Sequence, residues 1–199
     1  VFRTKATKEQ APIYFADQLI ETTPPTSLKG AYQIHNVRTV LQTIEILNAR
    51  AFTIPTKAVH QGLLKVTENN GLRGRWEVLG SSPKIICDTA HNREGLRLVF
   101  KQLQSEKFQH LHVVLGMVND KDVSSLIDLF PKHAQYYFCK PNVPRGLEAF
   151  QLAEIFKKNN HKGSVYSSVK DALNAAKQSA SHEDLIYVGG STFVVAEII

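Results

Sequence analysis

Apolar and polar positions follow two different regimes along this chain, and the change comes at about residue 75. Before it, one stretch has a clear helical period: Val37, Val40, Leu41, Ile44 and Leu47 fall on one face between Asn36 and Asn48. Lys5–Gln10 reads as the end of a helix, and Ala11–Ala16 as a strand entered through Pro12. Residues 20–29 are polar and carry Pro24-Pro25, which disfavours regular structure. Ala51–Thr56, with Pro55, reads as a linker. Thr56 then caps a short helix that runs into the polar loop Thr67–Gly74.

From Arg75 onward, short apolar runs alternate with helical periods. Strands are expected at Trp76–Leu79, Lys84–Asp88, Leu111–Gly116, Gln135–Cys139, Ser164–Tyr166 and Leu185–Val188. Helices are expected after Asn92, after Asp120 up to Pro131, over Leu147–Lys158 and Ser168–Ala180, and after Gly189-Gly190-Ser191-Thr192. Strands alternating with helices of this length specify a mostly parallel sheet with helices on both faces, an α/β fold of Rossmann-like type. The division predicted is a leading piece at 1–55 and an α/β domain at 56–199. A fifty-residue leading piece is too small to bury much core alone.

Composition adds only exclusions. With 43% hydrophobic and 21% charged residues, the 199-residue chain is ordinary for a globular protein. No apolar run approaches the roughly 18 residues that span a membrane, and residues 1–10 show no signal peptide. The net charge of +6 is spread among acids with no basic block, which argues against a nucleic-acid partner. The two cysteines, Cys87 and Cys139, sit at strand ends and read as buried small residues of a cytoplasmic protein. His110 and His112 share a strand face and read as solvated rather than metal-ligating. No C-x-x-C or H-E-x-x-H motif writes a metal site.

Polar chemistry gathers where strands end. Lys84–Asp88 stops at a carboxylate, and Asn92 caps the next helix, so Asp88 and His91 sit in a tight strand-to-helix turn. Ligands of open α/β sheets bind at that edge, yet an Asp there is equally a turn former. The other strand-end loops carry Asn119, Asp120, Lys121 and Asp122, then Lys140, Asn142 and Arg145, then the Gly-Gly-Ser-Thr turn. That last turn fits either an anion at a helix start or a plain turn. Neither G-x-G-x-x-G nor G-x-x-x-x-G-K-[ST] occurs.

Several of these stretches occur together, in order, in one known family. Gly74-Arg75-Trp76-Glu77 with Asp88-Thr89-Ala90-His91-Asn92 resembles the G-R-[LFW]-E and D-[GV]-A-H-N motifs of the folylpolyglutamate synthase/dihydrofolate synthase family, within the Mur ligase superfamily. Gly116–Asp122, Lys140–Arg145, Gly190-Ser191 with Glu197, and Tyr32-Gln33 with Asn36 match further motifs of that family in collinear order. Thr89 and Trp76 depart from its usual residues.

The resemblance implies an ATP-dependent amide ligase that joins L-glutamate to folate or dihydropteroate through an acyl phosphate. It implies that 1–55 is the end of an ATPase domain, whose P-loop and Mg²⁺ ligands precede Val1, and that 56–199 is the C-terminal ligase domain. It assigns Asn36, Arg75 and Asp88 to ATP, and His91, Ser191 and Lys121 to the glutamate side, with no catalytic residue in the chain itself. The piece alone, lacking a P-loop, is expected to be inactive. Two other readings stand beside it, a Mur-type ligase with another acceptor and a non-catalytic nucleotide- or amino-acid-binding module.

Overall fold

A computed structural model describes residues 1–120 and 122–199. They form two compact units, Val1–Gly71 and Leu72–Ile199. The proline-bearing segment around Pro55 lies within the first of these units. The reason is local: the Ser27 N–H donates to the Leu63 carbonyl at 2.9 Å, and the Val66 N–H donates to Ser27 Oγ at 3.2 Å. These bonds tie the helices after Pro55 to the first unit.

The first unit is helical: α1 (Phe2–Lys8), α2 (Ala16–Leu19), α3 (Gln33–Asn48), α4 (Thr56–Leu64) and α5 (Val66–Asn70). The strand expected at Ala11–Ala16 is not formed; the segment is irregular and leads into α2. A strand needs a neighbour to satisfy its N–H and C=O groups, and the described residues of this unit offer it no sheet. α3 buries Val37, together with Gln33 and Gln42, while Val40 on the predicted apolar face is exposed. Leu41 and Ile44 line a cleft of about 490 Å³ with Leu19, Ile54 and Val59.

The second unit is a six-stranded sheet of β1 (Glu77–Ser81), β2 (Lys84–Cys87), β3 (Leu111–Leu115), β4 (Gln135–Phe138), β5 (Lys162–Val165) and β6 (Leu185–Gly189). The strand order is β1-β2-β6-β3-β4-β5. Only β1–β2 is antiparallel; every other pair is parallel. Its helices are α6 (Arg93–Leu103), α7 (Ala149–Lys158), α8 (Val169–Ser179) and α9 (Thr192–Ala196), with a 3₁₀ helix at Val123–Leu129 where an α-helix was expected.

Strand period 2 divides the core. Ile85, Cys87, Val114, Ile186 and Val188 pack with Val169, Ala172 and Ala176 of α8 and Val194 and Val195 of α9. Tyr187, one residue out of phase, meets the Phe100 ring of α6 at 5.5 Å on the other face. Phe130 links that ring to Phe156 of α7 through edge contacts of 5.0 and 4.9 Å. The sheet is thus covered on both faces, as expected of a Rossmann-like fold. His112, expected to be solvated, is buried: its Nδ1 lies 2.9 Å from the Tyr137 hydroxyl and its Nε2 3.4 Å from Asp184 Oδ2. No helix among the described residues is long and apolar enough to cross a membrane.

Candidate functional site

The loops that leave β2, β3, β4 and β6 converge at the carboxyl edge of the sheet. They enclose a cleft of about 420 Å³ lined by His91, Val118, Asp120, Arg145, Ser191, Thr192 and Phe193. Convergence follows from parallel pairing, which brings the strands' carboxyl ends, and the loops that follow them, to one edge. Main-chain bonds then join two of the loops: Asn119 N–H donates to the Arg145 carbonyl at 2.9 Å, and Leu147 N–H to the Met117 carbonyl at 2.9 Å.

Asn92 caps α6, its Oδ1 accepting the Gly95 N–H at 2.8 Å. His91 therefore stands immediately before a helix start. Its Nδ1 lies 3.0 Å from the Thr89 carbonyl oxygen. A carbonyl only accepts, so Nδ1 carries the hydrogen and Nε2 keeps a lone pair in the neutral ring. Ser191 caps α9, accepting the Phe193 N–H at 3.2 Å, which leaves its hydroxyl hydrogen available to a ligand. The preceding Gly190 has φ +91°, and a Cβ there would lie 2.5 Å from Leu115 Cδ1, so only glycine lets the chain turn here.

Among the described residues, Arg145 supplies the cation of the cleft. Its Nη1 pairs with Asp120 Oδ2 at 3.2 Å, and its guanidinium carbon lies 5.0 Å from the Phe193 ring centroid. Arg145 and Asp120 were visible in the sequence as strand-end loop residues but were not assigned to the site. Their shared position is a tertiary fact without a local signature; the loop order after β3 and β4 was the one signal. Phe193 gave none, since at helix spacing it reads as core.

A second cluster precedes β1. Gly74 has φ +71° and Trp76 φ +51°, so the turn runs twice through the left-handed region. A Cβ on Gly74 would lie 2.9 Å from both Thr89 Cγ2 and Val195 Cγ1. The Trp76 N–H donates to Asp88 Oδ2 at 2.7 Å, the Ala90 N–H to Asp88 Oδ1 at 2.8 Å, and the Thr89 N–H to the Gly74 carbonyl at 3.0 Å. Asp88 is only 1% exposed. Its carboxylate, assigned from the sequence to the nucleotide, here binds main chain. Glu77 Oε2 accepts the Gly74 N–H at 2.7 Å and Oε1 accepts Arg73 Nε at 2.8 Å. Burial pushes the Glu77 carboxyl up, but the Arg73 and Gly74 donors outweigh it and hold it below its usual range.

Arg75, at the top of this turn, is half-buried and has no hydrogen bond or ion pair among the described residues. The two clusters share one segment: Asp88 and Thr89 hold the turn, and His91, two residues on, enters the cleft. Asn36 lies in the first unit on α3, its Nδ2 donating to Gln33 Oε1 at 2.8 Å. Lys121 lies outside the described residues. Glu197 accepts the Asn142 N–H at 2.7 Å and so fastens the end of the chain to the loop after β4.

Residues 74–192 match the Mur ligase, glutamate ligase domain family. The chain belongs to the Mur ligase family. Within it, the chain corresponds to the C-terminal part of the folylpolyglutamate synthase/dihydrofolate synthase members. It is 31% identical over 85% of its length to a probable bifunctional folylpolyglutamate synthase/dihydropteroate synthase of Haloferax volcanii, and covers 20% of that relative. It superposes on E. coli FolC in complex with DHPP and ADP with a TM-score of 0.73 and 25% identity, over 90% of this chain and 40% of that one. It also superposes on a bifunctional folylpolyglutamate synthase/dihydrofolate synthase with Mn, AMPPNP and L-glutamate bound, with a TM-score of 0.71 and 28% identity over 88% and 39% of the two chains. This Mur ligase chain thus spans about two fifths of those solved enzymes.

Proposed function

We propose that the chain is the C-terminal part of an ATP-dependent ligase that adds L-glutamate to the carboxyl group of a folate or dihydropteroate. In that reaction the carboxylate takes the terminal phosphoryl group of ATP, giving an acyl phosphate and ADP. The glutamate amine then attacks the acyl carbon, forming the amide, releasing phosphate and losing a proton. The observation that carries this reading is the cleft at the sheet edge, which His91, Ser191 and Arg145 line together. The enzyme solved with AMPPNP and L-glutamate supports it by likeness.

Each residue has a matching task. His91 Nε2 accepts a hydrogen bond from the incoming amine, and Ser191 donates to a carboxylate. Arg145, fixed by Asp120 and Phe193, pairs with a second carboxylate, which an amino diacid possesses. Lys121, next to Asp120 in the sequence, is assigned by the resemblance to the glutamate side. Arg75 meets the phosphates of ATP through its planar fork, and Asn36 contacts the nucleotide from the first unit. Asp88 serves ATP by holding the turn that carries Arg75.

On this reading residues 1–55 are the end of the ATPase domain, α4 and α5 lead to the ligase domain, and this chain supplies no P-loop. Mg²⁺ accompanies the nucleotide, and on this reading its ligands belong to the ATPase domain. On this reading the enzyme works in the cytoplasm. The test is phosphate release from ATP in the full-length protein, with glutamate and a reduced folate or dihydropteroate. Release that depends on both substrates is expected, and release indifferent to glutamate overturns the reading. The same assay on the 199-residue chain alone is expected to give no turnover.

A further inference from the structure

Arg75 is flanked by two residues in the left-handed region, Gly74 at φ +71° and Trp76 at φ +51°. A bulky residue such as Trp adopts that conformation only where its surroundings enforce it. Two carboxylates enforce it here, one on each side of Arg75. Asp88 takes the Trp76 N–H, and Glu77 takes the Gly74 N–H at 2.7 Å while its other oxygen holds Arg73. Glu77 reaches back three residues from the first position of β1, so the strand itself is the base on which the turn is braced.

We infer that Glu77 is a positioning residue, which fixes the direction of the Arg75 guanidinium through the Gly74 N–H. The inference rests on the proposed contact between Arg75 and the ATP phosphates. A long side chain with no protein partner among the described residues is aimed by its backbone, so a loosened turn lets the fork swing away from the phosphates. Misplacement of about 1 Å is enough to slow a positioned reaction severely.

The decisive experiment is a double-mutant cycle in the full-length ligase, read as kcat/KM for ATP, with hydrogen exchange at the Gly74 amide as a second readout. Glu77→Ala is expected to lower kcat/KM about tenfold or more and to speed exchange at Gly74. Glu77→Gln, whose carbonyl still accepts the Gly74 N–H, is expected to recover most of the rate. In an Arg75→Ala background, Glu77→Ala is expected to add less than about twofold, because a residue acting only through Arg75 has nothing left to position. An equal loss from Glu77→Ala in both backgrounds, or unchanged exchange at Gly74, overturns the inference. An Arg75→Ala enzyme with normal kinetics for ATP overturns the underlying reading of Arg75 instead.

Discussion

The carboxylate of Asp88, at the end of β2, holds the main-chain N–H of Trp76 at 2.7 Å across twelve residues of sequence. That bond joins the turn before β1 to the segment that leads into the cleft. Asp88→Ala would leave two N–H groups, on Trp76 and Ala90, without their acceptor, one of them buried. The expected cost is about 3 kcal/mol, measured by urea unfolding of the 199-residue chain. A loss below about 0.5 kcal/mol would mean that the turn holds itself.

Gly74→Ala puts a methyl group 2.9 Å from Thr89 Cγ2 and Val195 Cγ1 at a residue with positive φ. Strain of this kind costs on the order of 1–3 kcal/mol. The expected signature is a lower unfolding midpoint with an unchanged dependence on denaturant, since the unfolded chain is barely altered.

His91→Ala, Ser191→Ala and Arg145→Ala in the full-length protein are expected to raise the KM for glutamate more than that for ATP, because all three line one cleft. Arg145→Lys should recover little, since an ammonium cannot keep both the Asp120 pair and the stacked position over Phe193. Equal effects on both substrates would remove these residues from the glutamate side.

Asp184 links stability to pH. Burial pushes its carboxyl up, but the Ser181 N–H and hydroxyl and the His110 N–H and ring outweigh it, leaving the group far below the carboxylate range. A carboxyl lowered by folding adds stability above its unfolded value, near pH 4. That stability is lost as the pH falls from there toward the folded value. Stability measured from pH 6 to pH 2 should fall less steeply for Asp184→Asn than for the parent chain.

Cys87 and Cys139 are fully buried, and burial pushes both thiols up to about 12. Neither forms appreciable thiolate at neutral pH, so neither should react with iodoacetamide at pH 8 until the chain unfolds. Fast labelling of the native protein at either position would contradict the burial described.

The second unit was legible because its local signals agree. Apolar runs such as Ile85–Cys87 fit only a strand covered on both faces, and Asn92, Ser168 and Ser191 each cap the helix they precede. Asp88, His91 and Ser191 could be placed at strand ends for the same reason. What escaped depends on contacts distant in sequence. The two oxygens of Asp88 serve main chain that no spacing rule could name, and Arg145 becomes a cation of the cleft only once β3 and β4 lie side by side. In the first unit, Ala11–Ala16 has strand-like residues but no neighbouring strand. α3 buries Gln33 and Gln42, against the apolar stripe, while Val40 stays exposed.

The last strand in sequence, β6, lies between β2 and β3. While the protein is being made, β1–β2 and β3–β4–β5 can form as two separate patches, with the facing sides of β2 and β3 unpaired. The sheet closes only when Leu185–Gly189 has left the ribosome. Until then two apolar edges stand open to other nascent chains. The second unit thus completes its sheet edge and gains its protection from aggregation in the same step of synthesis.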